Sequence, residues 1–235
     1  MSDFPYTTAL IVGVGPGISA SLARKLAGLG VKVGLAARDV GKLQELAAET
    51  RAVTFAADAS DAGAVAGLFA EVDRRLGEPD VVVYNASARA RGPVAELDPE
   101  AVRNAIMVSC FGGFLVAQAA AKRMLARGHG SILLTGASAS VKGYAQSAPF
   151  AMGKFGLRGL AQSMARELAP KNIHVAHFVI DGGIQQGTSD SRAAARGPDG
   201  MLSPDAIAQT YLHIHRQHRS AWTWEVELRP WVEKF

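Results

Sequence analysis

The chain has one cysteine, Cys110, among 235 residues, so neither an intrachain disulfide nor a cysteine-rich metal centre is available to it. It also lacks any run of five or six like charges. Its 25 Lys and Arg and 21 Asp and Glu are spread along the length, and the resulting charge of +4 marks neither a nucleic-acid-binding nor a membrane surface. No basic segment precedes an apolar stretch at Met1-Ser2-Asp3-Phe4-Pro5, which argues against a secretory signal and for a cytoplasmic protein. The apolar run Ala105 to Ala121 is short and interrupted by Ser109, Gly112, Gly113 and Gln118. It reads as a helix buried on both sides rather than a bilayer span, with Cys110 as a small buried hydrophobe. Serine-hydrolase chemistry is disfavoured because Gly136-Ala137-Ser138 lacks the second glycine of a Gly-x-Ser-x-Gly elbow. His213, His215 and His218 face different directions on a helix with no carboxylate at ligand spacing, so they read as a polar helix face and not a metal site.

What remains is 49% hydrophobic and 20% charged, enough for one substantial core, and no linker or internal repeat divides residues 1–235. Near-continuous apolar stretches predict strands at Thr8 to Val12, Val31 to Ala36, Val53 to Ala57, Val81 to Tyr84, Ser131 to Thr135 and His174 to Ile180. Between and after them, helical patterns run over Ile18 to Leu29, Val40 to Thr50, Ala62 to Leu76, Pro99 to Arg127, Pro149 to Leu168 and Pro204 to His218. This alternation predicts a single α/β domain, a doubly wound parallel sheet of Rossmann type in three α/β/α layers. From Gln185 to Pro204 the composition shifts to Gly, Ser, Asp and Ala, as expected of a mobile substrate loop. The tail alternates Trp222, Trp224, Val226 and Leu228 with polar residues, a half-buried strand whose indoles suit a core or a subunit interface.

After the first strand comes Gly13-Val14-Gly15-Pro16-Gly17-Ile18-Ser19. Glycines there let the chain turn sharply and bring a pyrophosphate to the N-terminus of the next helix. The second strand ends in Ala36-Ala37-Arg38, with a guanidinium where a ribose-binding carboxylate would otherwise stand, and Asp39 follows too late to replace it. Arg38 suits a 2′-phosphate, so NADP(H) is expected in preference to NAD(H).

With these segments in place the chain resembles the short-chain dehydrogenase/reductase family over nearly its whole length. Gly13, Gly17 and Ser19 match the family's TGxxxGxG turn, with Val12 in place of threonine and Ser19 in place of the last glycine. Asp58-Ala59 matches its adenine-contacting element, Asn85-Ala86-Ser87 part of its NNAG segment, and Asp181-Gly182-Gly183-Ile184 its PG segment beside the nicotinamide. The resemblance implies cofactor contacts from Gly13, Gly15, Gly17, Ile18, Arg38, Asp58, Ala59, Asn85, Ala86, Ser87, Lys154, Gly182 and Ile184.

For the reaction, the resemblance implies Ser138 as the residue orienting the substrate oxygen, with Ser140 in reserve, and Lys154 as the ribose-holding lysine of YxxxK. Phe150 then takes the tyrosine position and Ser109 that of a relay asparagine. A phenyl ring cannot exchange a proton, so the proton is expected from Tyr144, six residues upstream, from water or from the substrate. The expected activity is hydride transfer to or from a small carbonyl, alcohol or enoyl substrate. The alternative is a non-catalytic NADP(H)-binding protein, redox-responsive or structural. The resemblance further implies a homodimer or homotetramer formed through the two long helices that carry Phe111, Phe114, Leu115, Phe155, Leu157 and Met164.

Overall fold

A computed structural model describes residues 6–186 and 190–233. Seven parallel strands lie in the order β3-β2-β1-β4-β5-β6-β7. In chain order they are β1 (Thr8–Val12), β2 (Lys32–Ala37), β3 (Val53–Ala56), β4 (Val81–Tyr84), β5 (Gly130–Thr135), β6 (Ile173–Ile180) and β7 (Glu225–Leu228). The α-helices are α1 (Ile18–Gly28), α2 (Gln44–Thr50), α3 (Ala62–Arg75), α4 (Pro99–Ile106), α5 (Gly112–Arg127), α6 (Ala148–Leu168), α7 (Ser191–Arg196) and α8 (Pro204–His215).

Strand parity divides the apolar residues between two cores. Leu10, Val12, Val82 and Tyr84 face one side of the sheet, where Phe69 of α3, Val116 of α5 and Leu157 of α6 cover them. Ala9, Ile11, Val81 and Val83 face the other side, beneath Leu22 of α1, Leu46 of α2 and Tyr211 of α8. Because both faces are buried, the strands read as continuous apolar runs rather than as alternating ones. Side chains stop the helices from fraying: Asp61 accepts from Ala64 N at 2.6 Å at the start of α3, and Asp98 from Glu100 N and Ala101 N at 3.2 Å at the start of α4.

Several boundaries differ from the sequence expectation. The predicted helix 99–127 is one continuous rod, but Met107–Phe111 forms a π turn between α4 and α5. That turn directs Val108 O to the hydroxyl of Tyr84, which donates to it. The full 29 residues are long and apolar enough to cross a membrane by length and composition, contrary to the reading of the shorter run. In the fold, however, Val116, Ala117, Ala120 and Met124 of this rod are fully buried in the core. Leu157, expected on the subunit face, also lies wholly in the core, whereas Phe111, Phe114 and Phe155 are exposed. Cys110 is half-buried rather than enclosed.

The last helix ends at His215, short of the predicted His218. His215 is not on a polar face: it is buried, its Nδ1 lies 2.9 Å from Ser131 Oγ, and burial pushes its pKa down to about 4. Residues 187–189 of the expected mobile loop lie outside the described residues. Around them, Ile184 pairs with Leu202 and α7 forms a short helical turn.

Candidate active site

The strand order reverses between β1 and β4, and a groove runs across the C-terminal ends of the strands there, where open parallel sheets bind ligands. Its walls begin with Gly13, which has φ +84° and sits against Ala86, so that a Cβ would collide with the backbone following β4. Across this contact Asn85 Nδ2 donates to Ser19 Oγ at 2.7 Å, which fastens the two loops together. Helix α1 starts at Gly17 with no side-chain cap and no acidic residue in its first turn. Its free N–H groups therefore remain available to an anion.

One end of the groove is a cleft of about 430 Å³ lined by Gly13, Gly15, Arg38, Asp39, Lys42, Asp58, Ala59, Asn85, Ala86 and Ser87. Asp39 is engaged locally, accepting from Gly41 N at 3.0 Å and pairing with Lys42 Nζ at 3.3 Å. Asp58 accepts from both the N–H and the hydroxyl of Ser60, at 2.9 and 2.7 Å. Those hydrogen bonds, followed by the Arg38 charge, hold its carboxyl below the usual range. Arg38 is exposed and makes no hydrogen bond or ion pair among the described residues.

The middle of the groove, about 270 Å³, is lined by Gly15, Gly17, Ile18, Asn85, Ser87, Arg89, Thr135, Phe150, Lys154, Gly182 and Ile184. Lys154 reaches it from the second turn of α6, one turn after Phe150. Its Nζ donates to Thr135 O at 2.7 Å and faces no carboxylate at ion-pair distance among the described residues. Burial first, and then the Arg89 charge, push its pKa down to about 7. The Phe150 ring faces two basic side chains, with the Arg89 guanidinium 4.1 Å from its centroid and Lys154 Nζ 5.9 Å from it.

The outer end, about 440 Å³, is lined by Arg89, Arg91, Ser138, Tyr144, Gln146, Ser147, Phe150, Asp181, Gly182, Arg196 and Glu233. Ser138, Tyr144 and Phe150 thus share one cleft, and Phe150 and Arg89 stand at its junction with the cleft that holds Lys154. Ser109 lies elsewhere, where its Oγ accepts from Ala88 N at 3.1 Å and donates to Ala88 O at 3.3 Å, pinning the loop that carries Arg89. Asp181 is held by Lys142 at 3.2 Å and Arg229 at 3.5 Å, which anchors the turn at Gly182 without a proline.

Ser140 is fully buried and does not line the groove. It belongs to a chain of contacts in which Glu225 Oε2 lies 3.0 Å from His177 Nδ1, and His177 Nε2 lies 3.3 Å from Ser140 Oγ. Ser140 Oγ in turn accepts from Ala137 N at 3.1 Å. Arg158 grips both oxygens of Glu225, its Nε donating to Oε2 at 2.7 Å and its Nη2 to Oε1 at 2.8 Å. Burial pushes the His177 pKa to about 4, so the ring is neutral and fixes the turn before Ser138. Neither this network nor Arg89 was found from sequence. The participants are far apart in the chain, and a lone His in an apolar strand or a lone Arg in a loop carries no local signal.

Residues 7–194 match the family described as short chain dehydrogenase. The chain belongs to that family. It is 35% identical over 176 residues to the 3-dehydrosphinganine reductase TSC10A of Arabidopsis thaliana, covering 71% of this chain but only 53% of that protein. It therefore spans about half the length of that relative. The crystal structure of a short-chain dehydrogenase from Rhodopseudomonas palustris superposes with a TM-score of 0.84 at 35% identity, covering 97% of this chain and 100% of the other. A metagenomic short-chain oxidoreductase solved in complex with NADP gives 0.84 at 29% identity, covering 97% and 99%. These relatives of the short-chain dehydrogenase family are oxidoreductases, and they share the single-domain Rossmann-like sheet.

Proposed function

We propose that this cytoplasmic short-chain dehydrogenase is an NADP(H)-dependent oxidoreductase that acts on a small carbonyl, alcohol or enoyl substrate with an atypical proton donor. The observation that carries this reading is the continuous groove from Arg38 past the uncapped start of α1 to buried Lys154. An anion fits that path, because the N–H groups of α1 are open and Gly13 and Gly17 leave the backbone bare. Arg38 would hold the 2′-phosphate, with Lys42 next to it; Asp58-Ala59 and Asn85-Ala86-Ser87 would line the adenosine half, and Gly182 and Ile184 the nicotinamide half. A bound nicotinamide supplies or accepts the hydride. Lys154 holds the ribose hydroxyls, Ser138 orients the substrate oxygen, and Phe150 excludes water from the junction of the two clefts.

Phe150 stands four residues before Lys154, where the family's tyrosine is expected, so the proton has to come from another atom. Tyr144 lies in the same outer cleft as Ser138 and Phe150 and is our choice of donor. Tyr144→Phe should lower turnover by about 10² or more; an unchanged rate would remove Tyr144 from the reaction.

Titration of the purified protein with NADPH and NADH by nicotinamide fluorescence tests the cofactor. Subsequent NADPH oxidation by aldehydes, ketones and enoyl thioesters tests the reaction. Tight NADPH binding without oxidation by any acceptor would favour a binding protein, a reading supported by the absence of a hydroxyl on the ring beside Lys154. Assembly is proposed as a homodimer or homotetramer through exposed Phe111, Phe114 and Phe155; a monomeric mass by light scattering would overturn it.

A further inference from the structure

The outer cleft contains three guanidinium groups and two carboxylates, but the carboxylates are committed elsewhere. Glu233 pairs with Arg196 at 3.2 Å, and Asp181 lies between Lys142 and Arg229. Neither Arg89 nor Arg91 makes a side-chain hydrogen bond or ion pair among the described residues. The Arg89 guanidinium lies over the Phe150 ring, 4.1 Å from its centroid, at the junction with the inner cleft. The loop after Arg91 is tied across the cleft mouth by Gly92 N donating to Gln146 O at 3.2 Å. Two exposed like charges therefore stand within electrostatic reach of each other with no counter-ion among the described residues. Burial and then the neighbouring Arg91 charge lower the pKa of Arg89.

We infer that the substrate is itself an anion, and that Arg89, assisted by Arg91, binds its carboxylate or phosphate in the outer cleft. Guanidinium groups suit both chemistries, since each presents a fork of N–H donors to a pair of oxygens. Arg89 sits between the clefts and Arg91 farther out, so the charged group lies within a few bonds of the reacting carbon. The inference rests on the oxidoreductase reading above and adds the substrate's charge to it.

The test is calorimetric titration of the protein saturated with NADP+, a complex with no hydride to give to a ketone. Two pairs of probes separate the anion types: 3-oxobutanoate against its methyl ester, and dihydroxyacetone phosphate against dihydroxyacetone. The expected result is binding of one anion at least about tenfold tighter than its neutral partner, the preferred anion telling carboxylate from phosphate. Arg89→Gln should reduce that preference to about twofold without changing NADP+ affinity, and Arg91→Gln should act in the same direction with a smaller effect. Equal binding of acid and ester and of both ketones, or no binding of any probe at millimolar concentration, would overturn the inference. So would a preference that survives Arg89→Gln, or an equal loss of NADP+ affinity in that variant, which would assign Arg89 to the cofactor. Failure of the unaltered protein to bind NADP+ would instead remove the reading beneath it.

Discussion

The two ends of the groove are built on opposite plans. At the end near Arg38, the polar side chains other than Arg38 itself have local partners: Asn85 has Ser19, Asp58 has Ser60, and Asp39 has Gly41 N and Lys42. There the ligand-facing surface is mostly backbone, the open N–H groups of α1 beside Gly13 and Gly17. At the other end Asp181 and Glu233 are ion-paired, but three basic side chains have no carboxylate partner among the described residues. Among the described residues Lys154 is buried with a carbonyl but no counter-ion, Arg89 lies over a phenyl ring, and Arg91 has no hydrogen-bond or ion-pair partner. A backbone site is fixed by the fold and persists as side chains change, whereas a side-chain site can be rewritten one residue at a time.

Phe150→Tyr should produce the largest effect. In a Tyr144→Phe background, where the proposed donor is gone, restoring a hydroxyl beside Lys154 should raise kcat for ketones by about 10² to 10⁴. An unchanged rate of NADPH oxidation would mean that the ring does not face the reacting atoms, and the contrast between the two ends would then be one of packing alone.

Lys154→Met sharpens the contrast by stability. The folded pKa of about 7 lies below the usual 10.5, so the folded protein keeps the amine neutral where the unfolded chain would charge it. The native state is therefore penalised increasingly as pH falls from 10.5 to 7, and the penalty is constant below that. The variant should lose this slope, being more stable than the wild type by up to roughly 4 kcal/mol at pH 7 and by little at pH 10.5. Its NADPH affinity should fall. A parallel pH dependence in both proteins, by thermal melts without cofactor, would show that the lysine is hydrated and charged. At the opposite end, Arg38→Gln should weaken NADPH binding about tenfold, or roughly 1.5 kcal/mol, and leave NADH binding unchanged. Equal loss for both cofactors would contradict a 2′-phosphate role.

Most of the fold was legible because a sheet covered on both faces writes each strand as an unbroken apolar run, and Gly13 to Ser19 marks the first turn. The π turn at Met107–Phe111 was not, since one extra residue in a helix leaves the apolar pattern nearly intact. The burial of His215 was missed for a different reason: its partner, Ser131, is on β5, 84 residues away. At the reaction end the types and spacing of Ser138, Phe150 and Lys154 were readable, but the cations gathered around Phe150 were not, because Arg89 comes from the loop after β4. The sequence shows which groups are available to a cleft; their charge balance depends on which carboxylates are already engaged, and that is set by tertiary pairing.

Ser109 gives the smallest effect and the finest test of the boundary between the two ends. Its hydroxyl makes both hydrogen bonds to Ala88, one residue before Arg89, and it packs against Gly153 of α6, where an added Cβ would come within 2.7 Å of the Ser109 Cβ. Ser109→Ala leaves the N–H and carbonyl of Ala88 without this partner and should cost about 1 kcal/mol, or roughly 2–4 °C in melting temperature. Ser109→Asn, although closer to the family pattern, should cost more, because a larger side chain has to displace helix α6 at its glycine. If the hydroxyl positions the reaction end alone, Ser109→Ala should weaken binding of the preferred anionic probe severalfold while the NADPH dissociation constant stays unchanged. A matching loss in NADPH affinity would mean that the loop from Asn85 to Arg89 moves as one piece and that the two ends are mechanically coupled.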